Sequence, residues 1–308
     1  MFGSKFWETA AESVAQKWGE RLFSPALFFW ALGVVLAGTR AGWGPMLAWL
    51  QARSEALYVA LAVGSLIVVV GSAALVEGMQ LAALRWLEGY WPRWLAPLSR
   101  LGRAWQARQV RSLRERYTAL ARRYDHLSPE EQAEYARLDA ELHTYPDESR
   151  LLPTRLGNLL RAAEEYGYRR YRLATGVIWP RLWLVLPDET REEITAARAR
   201  MDGAVRLVIW SVLLAVWTLL AWGMPWWVCC GLAAVAALGG CLACRRLGRM
   251  AGLYGDLLRA AVDVHRFALY QALHLPLPAS PAEERLVGEQ ATMWLWRGRS
   301  GGVRYTHT

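Results

Sequence analysis

The chain has 308 residues, of which 54% are apolar and 20% charged, and it carries a net charge of +9. Such a chain can hold a membrane bundle plus one modest domain outside the lipid. All four cysteines (Cys229, Cys230, Cys241, Cys244) lie in one apolar segment, which excludes a secreted, disulfide-built chain.

The basic residues are almost all arginine, with lysine only at positions 5 and 17, and they cluster beside apolar runs. Charge in that position sets topology and attracts anionic lipid, so no nucleic acid is expected. The 18 tryptophans exceed what a soluble protein of this size needs. Many flank the apolar runs (Trp43, Trp49, Trp86, Trp91, Trp94, Trp226, Trp227), where an indole's apolar body and N–H suit the lipid interface.

Residues 1–23 are charged throughout and predict no cleavable signal peptide. Phe6, Trp7, Ala10, Val14 and Trp18 follow helical spacing between charges, the pattern of an amphipathic helix in the interface. Ser24 and Pro25 form an N-cap and first-turn pair for a short first span over residues 22–39. Gly42, Gly44 and Pro45 then predict a break, and residues 40–55 an outside loop.

Residues 56–76 run twenty-one positions without a charge, a proline or a side-chain amide, about 30 Å of helix and so the thickness of a bilayer's hydrocarbon core. Along this second span Gly64, Gly71 and Gly78 recur every seven residues, and Ala60 and Ala74 each precede a glycine by four. The result is a stripe of small residues on one face. Two uses fit it. The stripe admits a neighbouring backbone, or in a symmetric oligomer Ala60, Gly64, Ile67 and Gly71 line a narrow apolar neck. Glu77 falls where the span leaves the lipid. It is either a snorkelling or arginine-paired carboxylate, or one member of an acidic ring at a pore mouth. Helical periodicity continues to Trp91, and Pro92 is expected to end the helix.

From Arg85 to Arg123 there are ten arginines against Glu88 and Glu115. The positive-inside rule places this side, and both termini, in the cytoplasm, with anionic lipid as a partner for the arginines. Residues 92–204 read as helical and cytoplasmic. Ser128-Pro129-Glu130-Glu131 starts a helix that pairs with its arginine-rich predecessor in a hairpin of opposite charge. The segment GVIWPRLWLVLP, broken by Pro180 and Arg181, is too short to span and reads as interfacial or buried.

The third and fourth spans follow over residues 207–222 and 227–244, joined by the uncharged turn Gly223-Met224-Pro225. Residues 245–308 continue as a long cytoplasmic helix and a tail. That helix shows an apolar stripe at Leu253, Leu257, Ala260, Val264, Phe267 and Leu273. Its other face alternates Arg249, Asp256, Arg259, Asp263 and Arg266 at ion-pairing distances. The tail MWLWRGRSGGVRYTHT suggests a small hairpin about Ser300-Gly301-Gly302.

No catalytic or cofactor motif appears. Cys241 and Cys244 form a CxxC, but zinc needs two further ligands, and His265 lies about six turns away. Packing explains these cysteines. The histidines (126, 143, 265, 274, 307) are scattered, and no phosphate loop or metal motif is present, so neither an enzyme nor a cofactor is expected.

Two stretches, LPTRLGNLLRAAEEYGYRRY with WPRLWLVLP, and YGDLLRAAVDVHRFALYQALHLPLP, resemble segments of an uncharacterised family of bacterial multi-pass membrane proteins. That resemblance implies the bacterial cytoplasmic membrane and no activity. The order of parts also resembles the bestrophin channels: interfacial helix, two spans, helical domain, two spans, long helix. In that family the second span lines the pore of a pentamer. The Arg-Phe-Pro motif and the acidic calcium cluster of the family are absent here.

The expected fold is an all-α membrane protein with four transmembrane helices and a helical cytoplasmic domain. The expected function is a homo-oligomeric ion channel with the second span lining the path. The alternative is a non-conducting membrane platform whose cytoplasmic helices recruit a partner protein.

Overall fold

A computed structural model describes residues 25–221, 223–298 and 305–306, and among these the only regular structure is helical. Ten α-helices follow one another: α1 (Pro25–Ala41), α2 (Trp43–Gln51), α3 (Glu55–Glu88), α4 (Ala96–Ala121), α5 (Pro129–Leu142), α6 (Arg155–Tyr171), α7 (Thr175–Val185), α8 (Asp188–Leu220), α9 (Trp226–Ala272) and α10 (Pro281–Arg297). Three of them (α3, α8 and α9) are long and apolar enough to cross a membrane. The count rises to four if the bent pair α1–α2 is one span. The expected interfacial helix over residues 1–23, the Ser24 cap and the turn at 300–302 lie outside the described residues.

The chain divides into two compact units, one reaching to Ala83 and resuming over Asp202–Leu247, the other comprising Leu84–Met201 and Gly248–Thr308. In the first, α1 and α2 meet at a bend of 103°. The break falls at Gly42 alone, whose φ of 88° a side chain would resist. Gly44 and Pro45 sit inside α2, so residues 40–55 are not the plain loop expected. Pro45 is tolerated there because the first turn of a helix has no partner for its missing N–H. The core of this unit joins Ala26, Val69, Val76 and Trp210, with Leu27, Phe29 and Trp30 packed beside them. The Phe29 ring lies tilted at 5.0 Å from that of Trp217, which is so close to Gly33 that a Cβ there would come within 2.5 Å of it.

In the second unit, α3 ends at Gly89 (φ 94°), one turn before the expected stop at Pro92. A Cβ at Gly89 would also strike the Pro153 ring at 2.5 Å. Helices α4 and α5 form the expected hairpin. Ser128 and Glu131 exchange side-chain and backbone hydrogen bonds in a capping box, and Arg116–Glu134 and Arg123–Glu131 pair across the hairpin. Helix α7 buries Ile178 and Leu182 completely in a core shared with Leu173, Leu186, Leu258, Val262, Leu269 and Tyr270. GVIWPRLWLVLP is thus a helix buried along one face, with Pro180 inside it and Leu184 on the exposed side.

Two expectations are corrected in this unit. The apolar stripe expected on α9 packs only in part: Leu257 and Leu273 lie against the core, but Leu253, Ala260, Val264 and Phe267 are exposed, and Leu258, Ala261, Val262, Leu269 and Tyr270 form the buried face. Both faces carry apolar residues, and packing against α6 and α7 selects between them. The hairpin over the tail is likewise wrong in its first strand. Met293 to Arg297 finish α10, which Ser280 caps by accepting from the Glu283 N–H at 3.2 Å.

Candidate functional site

The helical repeat puts Val69, Ser72 and Val76 on one side of α3 and the glycine stripe on another. The first side carries the contacts within the chain: Val69 and Val76 are buried against α1 and α8, and the Trp30 indole N–H donates to Ser72 Oγ at 3.1 Å. The other side is open. Ala60, Gly71, Glu77 and Gly78 are exposed, Gly64 is half-buried, and Ile67 is 62% exposed. A Cβ built on Gly64, Gly71 or Gly78 meets nothing within 4 Å. The stripe therefore serves no close helix contact within the single chain, among the described residues. Only 11% of the most apolar stretch of α3 is buried, which leaves most of its surface for lipid or for other chains.

The charged face of α9 is not a simple ladder of neighbours. Arg259 pairs with Asp256 at 3.0 Å and donates to the His143 carbonyl at 3.2 Å. Asp263 and Arg266 reach other helices instead. Asp263 accepts from the Tyr166 hydroxyl at 2.8 Å and the Tyr171 hydroxyl at 2.7 Å. Arg266 pairs with Glu284 of α10 at 2.6 Å, both side chains nearly buried, and donates to the Asp263 carbonyl. Its guanidinium also lies 4.4 Å from the Tyr171 ring centroid. Burial first, and then the bond to Asp263, push the Tyr166 hydroxyl up to about 12. Arg249 is exposed and pairs with no acidic group among the described residues. This network ties α6, α9 and α10 together and reads as structural.

A second constellation went unrecognised in the sequence because its residues are spread from position 150 to 296. A pocket of about 740 Å³ opens between α6, the start of α7, α9 and α10. At its floor Glu165 is 7% exposed, with the Arg150 Nε at 2.9 Å and the Arg161 Nε at 3.4 Å from the same oxygen. Neither contact has hydrogen-bond direction, so the pairing is electrostatic. Burial outweighs both arginines and raises the Glu165 pKa. Beside it Glu164 is exposed, while the protein around its carboxyl raises its pKa, against the nearby Arg161 and with the help of Glu165. Glu88, at the end of α3, is raised in the same way, by burial first and then by Glu164.

The cysteines are all free: Cys230, Cys241 and Cys244 are exposed on α9, and Cys229 is half-buried. Among the described residues no group of three or more His, Cys, Asp or Glu side chains is placed to hold a metal. No protein-family model, no curated protein and no solved structure matches the chain.

Proposed function

We propose that this chain of apolar, membrane-length helices assembles with copies of itself into an ion channel, with α3 lining the path. The observation that carries the reading is the division of α3 into two faces. Val69, Ser72 and Val76 pack or bond against other helices of the chain, while a Cβ added at Gly64, Gly71 or Gly78 would meet nothing within 4 Å. Small residues on a membrane helix suit close approach of other backbones, and several copies around an axis turn such a face into a narrow neck. In this reading α1–α2 counts as one span, giving four. The arginines from Arg85 to Arg123 then hold the second unit on the cytoplasmic side against anionic lipid, as a cytoplasmic domain. Both termini lie in the bacterial cytoplasm, and the pathway belongs to a bestrophin-like arrangement. The channel is a conduit and performs no bond chemistry.

One observation favours a second reading, a non-conducting platform that recruits a partner protein. Val264 is 67% exposed and Leu253 52%, on a stripe of α9 in the unit that holds no candidate neck. The particle mass in detergent separates the two. The channel requires a defined multiple of the 34.7 kDa protomer, because one short bundle has no room for a path, whereas a monodisperse single chain supports the platform.

A further inference from the structure

The pocket between α6, α7, α9 and α10 has the size of a site for a small organic molecule. Its walls include Trp179, Trp296, Leu258 and Met293, apolar surfaces on which a ring or alkyl body rests. Its charge balance decides what else the occupant carries. Arg150 and Arg161 are both held by the buried Glu165, and Arg161 also donates to the Arg150 carbonyl at 3.2 Å. Glu164 and Glu289, which also line the pocket, have no ion pair or hydrogen bond among the described residues. Two cations and three carboxylates leave the lining one charge negative.

The start of α7 also faces the pocket, and its N-cap, Ala174, offers no side-chain cap. A helix N-terminus contributes only about half a positive charge, less than the one charge by which the carboxylates of the lining exceed its arginines. Negative charge therefore prevails at the mouth of an aromatic-walled cavity, the setting in which organic cations are bound through ring faces and carboxylates.

We propose that this pocket binds an organic cation, an amine or quaternary ammonium with an aromatic or alkyl body. The occupant places its charge between Glu164 and Glu289 and its body against Trp179 and Trp296. This stands independently of whether the assembly conducts, since it concerns a different unit of the fold.

Calorimetric titration of the full-length protein in nanodiscs, with empty nanodiscs as the reference, tests it. The probes are tryptamine, benzyltrimethylammonium and, as an anion of similar body, indole-3-propionate. Both cations should bind saturably, and indole-3-propionate should be weaker by at least about tenfold, the effect of one well-placed charge. Glu164→Gln and Glu289→Gln should each weaken tryptamine several-fold, and Trp179→Leu should weaken benzyltrimethylammonium more than it changes the melting temperature. Absence of saturable binding by either cation overturns the proposal, as does equal binding of indole-3-propionate. Unchanged tryptamine affinity in both folded glutamine variants overturns it too. Should the variants fail to fold, the comparison of probes on the natural protein still decides.

Discussion

Trp30 donates its indole N–H to Ser72 Oγ at 3.1 Å, one residue and a hundred degrees of helix away from Gly71, where an added Cβ would meet nothing within 4 Å. Adjacent positions of α3 thus answer to different partners. Ser72→Ala removes the acceptor with little change of volume and leaves the Trp30 ring in place, and should cost about 0.6 to 1.7 kcal/mol, the range for hydrogen bonds between membrane helices. Gly71→Leu should leave that contact alone. It fills open space in the single chain, and its expected effect is loss of the oligomer, read as a smaller particle mass. Equal destabilisation of the protomer by both changes would show that the two faces are not separate.

The Arg266–Glu284 pair is nearly buried and holds α9 to α10. Glu284→Ala leaves the guanidinium without its carboxylate, and should destabilise the protein by about 3 to 5 kcal/mol. Replacing both partners at once, by Arg266→Met with Glu284→Leu, should cost less than the single change. Chemical denaturation of the three proteins checks this, and a double variant less stable than Glu284→Ala would refute it.

Tyr270 is fully buried, and its hydroxyl has no hydrogen-bond partner among the described residues. Tyr270→Phe removes an unsatisfied polar atom and keeps the ring. It should stabilise the protein by about 1 kcal/mol, the lower end of the cost of an unpaired buried group. A fall in melting temperature would contradict this reading of the hydroxyl.

How much of this was legible in the sequence depends on how local the cause was. Ser128, Pro129 and Glu131 announce α5 because a cap is made among neighbours, and the length of the apolar run marks α3 because the bilayer sets it. Helix α2 was missed because Gly42, Gly44 and Pro45 look like one long break, whereas only Gly42 bends the chain. The buried side of α9 could not be chosen from spacing. Leu253, Val264 and Phe267 make as good a stripe as Leu258, Val262 and Leu269, and only α6 and α7 decide between them. The glycine repeat was visible, but its freedom from neighbours was not, since that required knowing that α1 and α8 take the opposite face. The pocket gave no signal because Arg150, Glu164, Trp179 and Trp296 belong to four separate segments.

Glu88 gives the fold a pH dependence of definite sign. Its pKa is raised, chiefly by burial, above the ordinary 4.5, so the unfolded chain releases that proton first. The group's contribution to stability is best below pH 4.5 and declines as pH rises from there through the raised value. Glu88→Gln should therefore raise the melting temperature at pH 7, and the gain should vanish under acid conditions. A gain that persists unchanged at low pH would assign the effect to something other than the charge.

The central claim is a path along α3, and Glu77 is the carboxylate on that helix closest to its mouth. In a ring of copies its charge repeats around the axis, concentrating cations through a field that salt screens over about 8 Å at physiological ionic strength. The most direct measurement is the reversal potential of reconstituted protein in a planar bilayer under asymmetric salt, for the natural chain and for Glu77→Gln. The account predicts conduction, with a reversal potential that moves when the charge at 77 is removed. A well-folded oligomer that stays silent across pH, voltage and calcium would contradict it.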